Sequence, residues 1–137
     1  MKRLVLFLTI FLSIFFSNSA FSEGLRFELN GKQYEAASND LYGDYSWERA
    51  MSACKGIVDL REGNRDWYLP SKEELNAMYE GFYKDGLGGF VKAFYWTSSD
   101  YSSIRAWAQY FDFFGTQFRN DKQFNLARVR CIREIKE

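Results

Sequence analysis

In "LRFELNGKQYEA", Leu25, Phe27 and Leu29 alternate with Arg26 and Glu28 before Asn30 and Gly31. A period of two marks a strand, and Asn-Gly tolerates the positive φ of a tight two-residue turn, so this stretch predicts a β-hairpin. The period then lengthens in "SWERAMSACKG", where Trp47, Ala50, Met51 and Cys54 fall at i, i+3, i+4 and i+7. These positions make one helical face, capped by Ser46 and stopped by Gly56, and they turn Cys54 toward the core. The chain's one proline opens a second helix in "WYLPSKEELNAMY". Ser71 and Glu74 form an S-x-x-E capping box, and Leu75, Met78, Tyr79 and Phe82 supply the apolar face. Pro70 keeps Leu69 extended and sets the angle at which the chain enters the helix. From Phe94 the period returns to two. "FYWTSS" predicts a short strand and "AWAQYFDFF" a longer one with Trp107, Gln109, Phe111 and Phe113 on one face. "ARVRCIR" predicts a last strand, with Ala127, Val129 and Cys131 inward and Arg128 and Arg130 outward. The second half is therefore antiparallel sheet, and no repeat, low-complexity tract or Gly/Ser linker interrupts it.

Ahead of these elements, "MKRLVLFLTIFLSIFFSNSAFSEG" has the anatomy of a signal peptide. Lys2 and Arg3 form a basic start, Leu4 to Phe16 are apolar apart from Thr9 and Ser13, and Ala20 and Ser22 are the small spaced residues a signal peptidase needs. Cleavage is expected between Ser22 and Glu23. The alternative is an uncleaved anchor, but this stretch is short of the roughly 18 residues of a spanning helix. No cysteine follows it closely enough to carry lipid. The expectation is an exported protein, periplasmic or secreted to the cell surface, with residues 1–22 removed, 23–137 forming a single domain and no membrane span after cleavage.

Lys2 and Arg3 leave with the signal, so 16 of the 18 basic residues remain against 18 acidic ones, a net charge of −2. That balance argues against nucleic acid, whose phosphates call for a clustered basic surface. Aromatic residues make up 20% of the chain, which fits either a dense core or a carbohydrate-type binding face. Cys54 and Cys131 are the two cysteines, and in an exported chain they most simply form one disulfide, the alternative being two buried thiols.

"SWERAMSAC", "WYLPSKEELNAMY", "YWTSSDYSSIRAWAQYF" and "ARVRCIRE", in this order, resemble the bacterial domain typified by the C-terminal domain of the Legionella collagen-like adhesin. That domain is placed in a wider C-type-lectin-like and sulfatase-modifying-factor-like group. The resemblance covers about residues 44–133. It implies an α+β, C-type-lectin-like fold: two helices flanking antiparallel β-sheets, with Cys54 and Cys131 as a helix-to-strand disulfide. Three features depart from the pattern. "ASNDLYGDYSW" replaces a glycine- and threonine-rich opening, no Gly-X-Y repeat is present, and the E-P-N, Q-P-D and W-N-D signatures of calcium-dependent lectins are missing.

The chain has no histidine, which excludes Ser-His-Asp and Cys-His catalysis and the usual histidine-containing zinc sites. Formylglycine-generating relatives of the group use reactive cysteines, but both cysteines here match the structural bridge. Glu73 and Glu74 are adjacent on a helix and point apart, so they read as dipole partners rather than a catalytic pair. Asp100, Asp112 and Asp121 read as solvated loop carboxylates. No enzyme activity, cofactor or metal is expected.

A binding surface remains. "SSDYSSIR" at 98–105 and "GTQFRNDKQFN" at 115–125 are the polar connections of the sheet half, and loops on a rigid scaffold are where ligands usually meet a domain. The candidate ligand-binding residues are Asp100, Tyr101, Arg105, Arg119, Asn120 and Asp121. Tyrosine stacks on a sugar or peptide, while Arg, Asn and Asp supply hydrogen bonds, although each residue type also serves in plain turns. One expectation is therefore an exported, adhesin-like recognition module that binds a glycan or protein without calcium. The other is an assembly component of an envelope complex whose aromatic sheet face, Tyr110 with Phe114, packs on another protein.

Overall fold

The computed structural model describes residues 24–58, 63 and 66–136; the predicted signal peptide 1–22 and its cleavage point lie outside them. The elements are β1 (Leu25–Leu29), β2 (Lys32–Ala36), α1 (Trp47–Ala53), α2 (Lys72–Gly81), β3 (Phe94–Asp100), β4 (Arg105–Tyr110), β5 (Gln117–Asp121) and β6 (Ile132–Ile135). The fold is α+β. Its strands form two antiparallel three-stranded sheets, ordered β1-β2-β6 and β3-β4-β5.

The β1–β2 hairpin closes with Leu29 opposite Lys32. Asn30 and Gly31 sit at φ 52° and 80°, the left-handed conformation that a two-residue hairpin turn requires. Helix α1 begins after Ser46, which holds the cap position without making a side-chain bond, and continues past Ala53 as a 3-10 turn over Cys54–Gly56. It buries Ala50 and Cys54 against Trp96, Ala106 and Ala108 of the second sheet. The Cys54–Cys131 disulfide, 5.6 Å between Cα atoms, joins this helical segment to the residue preceding β6 across 77 positions.

Both halves of the capping box form at α2: Glu74 N–H donates to Ser71 Oγ at 3.1 Å and Ser71 N–H to Glu74 Oε1 at 2.8 Å. Leu75, Met78 and Tyr79 pack with Tyr34, Ala36, Tyr95, Phe111 and Ile132, so α2 joins the two sheets through one apolar cluster. Leu75 and Met78 are fully buried, and each such side chain contributes about 1.5–3 kcal/mol.

Two expectations from alternation fail, each for a physical reason. The ladder strand begins at Ile132, whereas 127–131 form only isolated bridges on both flanks, Tyr45 to Ala127 and Tyr95 to Arg128. Ala127, Val129 and Cys131 are buried, but Arg130 is completely buried too instead of facing outward. The segments around 37–40 and 88–90 close over it. Its Nε donates to Asp40 Oδ1 at 2.8 Å, its Nη1 to Gly88 O at 2.7 Å and Ala37 O at 3.1 Å, and its guanidinium lies 3.9 Å from the Phe90 ring centre. Tyr95 Oη donates to the same aspartate at 2.7 Å. Burial pushes the Tyr95 phenol pKa up, so it stays a donor there.

The predicted strand over 106–114 ends at Tyr110, so Phe113 does not share the face of Trp107 and Gln109. Asp112 Oδ1 accepts from the N–H groups of Phe114 and Gly115, at 3.0 and 2.9 Å, and turns the chain. Tyr79 Oη donates to the carbonyls of Asp112 and Phe113 at 2.6 and 3.0 Å. Gly115 has φ 63°, and a Cβ there would lie 2.3 Å from the buried Tyr79 ring. Phe113 and Phe114 are left 90% and 77% exposed.

Candidate functional site

Antiparallel pairing of β4 and β5 puts Trp107 opposite Arg119 and Arg105 opposite Asp121. Side chains alternate along a strand, so Arg105, Trp107 and Arg119 share one face of the second sheet. The N-terminus of α2 crosses this face and is fixed by polar contacts. Gln117 Nε2 donates to Lys72 O at 2.7 Å, Lys72 N–H to Ser99 Oγ at 2.9 Å, and Ser98 N–H to Pro70 O at 2.8 Å. Beneath it Gln109, fully buried, donates to Asn76 Oδ1 at 2.9 Å and Gly115 O at 3.0 Å.

The outcome is a stack of cations and rings. Lys72 Nζ lies 3.7 Å from the Trp107 ring centre. Tyr101 meets Trp107 edge-on at 6.1 Å and 82°, and the Arg119 guanidinium covers Tyr101 at 4.6 Å while Nη1 donates to its hydroxyl at 2.6 Å. Each such cation–ring contact contributes about 0.5–1 kcal/mol at an exposed site. Tyr101 remains 51% exposed. Arg105 is exposed one pair further along, and its guanidinium makes no ion pair among the described residues.

The 100–105 loop that presents Tyr101 is held from within. Tyr101 N–H and Ser102 N–H donate to Arg105 O at 3.1 and 3.0 Å, and Ser102 Oγ accepts from Arg105 N–H at 3.1 Å. Lys122 bonds Asp100 Oδ1 at 2.7 Å and Ser102 O at 2.6 Å, and its Nζ sits 4.3 Å from the Trp47 ring centre. That Lys122 hydrogen bond holds the Asp100 carboxyl below its ordinary pKa. A cleft of about 380 Å³ lies beside this loop, between Ser46 and Glu48 of the α1 start and Ile104, Asp121, Lys122 and Phe124.

Of the six sequence candidates, the structure brings Tyr101 and Arg119 into contact and sets Arg105 beside them. Asp100 anchors the loop. Asp121 accepts from Gln123 and Phe124 N–H at 2.9 and 2.8 Å and builds the turn after β5. Asn120 faces the opposite side of the sheet and is 8% exposed. Lys72 and Trp107 are stack members that the sequence reading missed; Trp107 was placed on the right face, but nothing local to Lys72 signals a partner 35 residues away. Tyr110 packs against Phe94, 4.4 Å between ring centres, whereas Phe114 pairs with Phe113 in the turn, so these two do not form one strand face. Among the described residues no group of three or more His, Cys, Asp or Glu side chains is placed to hold a metal ion. None of their helices is long and apolar enough to cross a membrane.

Two sheets joined by one capped helix and closed by one disulfide define a small α+β domain whose cation–aromatic face is built by β4, β5, the α2 start and the loop carrying Tyr101. The profile of the Lcl C-terminal domain matches residues 24–133, and the chain belongs to that family. The match begins before residue 44, where the resemblance read from the motifs starts, and so takes in the β1–β2 hairpin. A comparison with curated proteins gives no match.

Proposed function

We propose that the chain is an exported, non-enzymatic recognition module that binds a glycan or glycoconjugate at the bacterial surface or in the periplasm, without calcium. It would act as a single mature domain, residues 23–137. The observation that carries this reading is the face made by Lys72, Trp107, Tyr101 and Arg119 with Arg105 beside it. A half-exposed tyrosine offers a ring for the C–H face of a sugar. Guanidinium groups hold carboxylate or sulfate by paired hydrogen bonds, which makes an anionic glycan the better fit. Membership of the Lcl C-terminal domain family supports an adhesin-like role.

The test is a glycan array probed with the mature domain, followed by titration of the best ligand with and without chelator. Binding is expected to survive chelator, to weaken with salt, and to weaken in Arg105→Ala and Arg119→Ala. Loss with chelator rejects the calcium-free mechanism, and unchanged affinity in both variants rejects the site. A role in protein assembly has one observation in its favour, the exposed Phe113–Phe114 pair. Blank arrays, together with a concentration-dependent mass lost in Phe113→Ser/Phe114→Ser, would select it instead.

A further inference from the structure

On β5, Phe118 and Asn120 alternate with Arg119 and so point to the face away from the stack. There the chain after β5 crosses back toward β3, where Arg128 N–H donates to Phe94 O at 2.8 Å and Trp96 N–H to Arg128 O at 3.0 Å. Between sheet and crossing segment lies a cleft of about 280 Å³ lined by Phe94, Phe118, Asn120, Phe124, Asn125 and Leu126. No charged residue lines it. Phe124, Leu126 and Phe94 are 79%, 58% and 44% exposed, an apolar wall left to water.

Asn120 sets the chemistry. Its Oδ1 accepts from Asp121 N–H at 3.2 Å and from the Asn125 side-chain amide, which fixes Oδ1 as the acceptor end. Its Nδ2 has no partner among the described residues. Only Trp67 Nε1 and Arg130 Nη2 are both sealed from solvent and unpartnered there, so Asn120 Nδ2 keeps solvent access, and Asn120 is a residue of the cleft wall. A nine-tenths-buried amide with an unused donor, set among phenyl rings, calls for a hydrogen-bond acceptor carried next to an apolar group. The uncharged lining excludes a preference for ions. A sugar ring would need several polar partners, and with one Asn125 N–H donated to Asn120 the lining offers only what two amides have left among four apolar side chains.

We propose that this cleft is a second binding site, taking an uncharged apolar side chain of an extended polypeptide while Asn120 Nδ2 donates to the adjacent peptide carbonyl. It lies on the face opposite the glycan stack and stands or falls separately from it.

The test uses the mature domain labelled with ¹⁵N and two probes, N-acetyl-leucine methylamide and N-acetylglucosamine. The leucine probe is expected to shift the Asn120 side-chain amide and the backbone signals of Phe124, Asn125 and Leu126 saturably, with the sugar leaving them in place. Asn120→Asp keeps the oxygen that Asp121 N–H needs while removing the donor, and Phe124→Ala trims an exposed ring. Each is expected to weaken Kd for the leucine probe about fivefold, the scale of one hydrogen bond or a partly buried ring, in a spectrum that otherwise stays folded. Saturable shifts from the sugar alone, no saturable shift from either probe, or leucine binding untouched by both variants would overturn the proposal.

Discussion

Replacing Asp40 with alanine should destabilise the domain far more than an ordinary loop substitution. The Arg130 guanidinium has no exposed surface and Asp40 is its carboxylate partner at 2.8 Å, while Arg128, 38% exposed, reaches the same aspartate at 3.5 Å. Removing one partner of a buried pair costs about 3–5 kcal/mol, because the other charge is left desolvated. Gly88 O, Ala37 O and the Phe90 ring still face Arg130, so the lower end applies, about 3 kcal/mol. For a domain of this size that is a Tm fall of about 10–15 °C and a large part of a typical 5–15 kcal/mol stability. Urea unfolding of wild type, Asp40→Ala, Arg130→Met and the double variant closes a mutant cycle. The double variant is expected to recover most of the loss, since two charges are removed together. If Asp40→Ala cost under about 1 kcal/mol, Arg130 would have another counter-charge or water, and its locked burial would be wrong.

Three further outcomes follow from the contacts. Replacing Cys54 and Cys131 by alanine should cost about 4 kcal/mol in the loop-entropy account of a 77-residue separation, measured by urea unfolding; a loss below about 1 kcal/mol would contradict it. Ser71→Ala removes the cap oxygen and should cost about 1 kcal/mol while leaving any ligand binding intact in the folded fraction, checked by thermal melting and titration. Because Lys122 lowers the Asp100 pKa in the folded state, that ion pair stabilises the fold above the ordinary aspartate pKa of about 3.9 and loses its contribution as pH falls through the lowered value. The acid side of the stability curve should therefore be slightly shallower in Asp100→Asn, and an identical curve would count against the coupling.

What was legible in the sequence was local. The capping box, the Asn-Gly turn and the apolar face of α2 need only residues within a few positions of one another, and all three formed as read. Arg130 was illegible because alternation reports which side a residue points to, while its cover comes from segments about 40 and 90 positions earlier. The end of β4 could have been read: Asp112 and Gly115 bracket Phe113 and Phe114 with turn residues, and carrying the alternation through them put Phe113 on the wrong face. Of the cation–aromatic face, Tyr101, Arg119 and the neighbouring Arg105 were among the sequence candidates. Lys72 was not, since it reaches Trp107 only after Pro70, Ser99 and Gln117 have docked the helix on the sheet.

The turn after β4 divides constraint from freedom. Tyr79 holds its backbone through two carbonyls and leaves no room for a side chain at Gly115, while Phe113 and Phe114 carry almost none of the packing. A scaffold of this kind can exchange the two tip side chains without re-solving the core beneath, whereas an insert between them would pull Phe114 and Gly115 off the Asp112 carboxylate that makes the turn. The same hairpin can thus present unlike surfaces in different chains, with side-chain drift permitted at 113 and 114 and forbidden at 115.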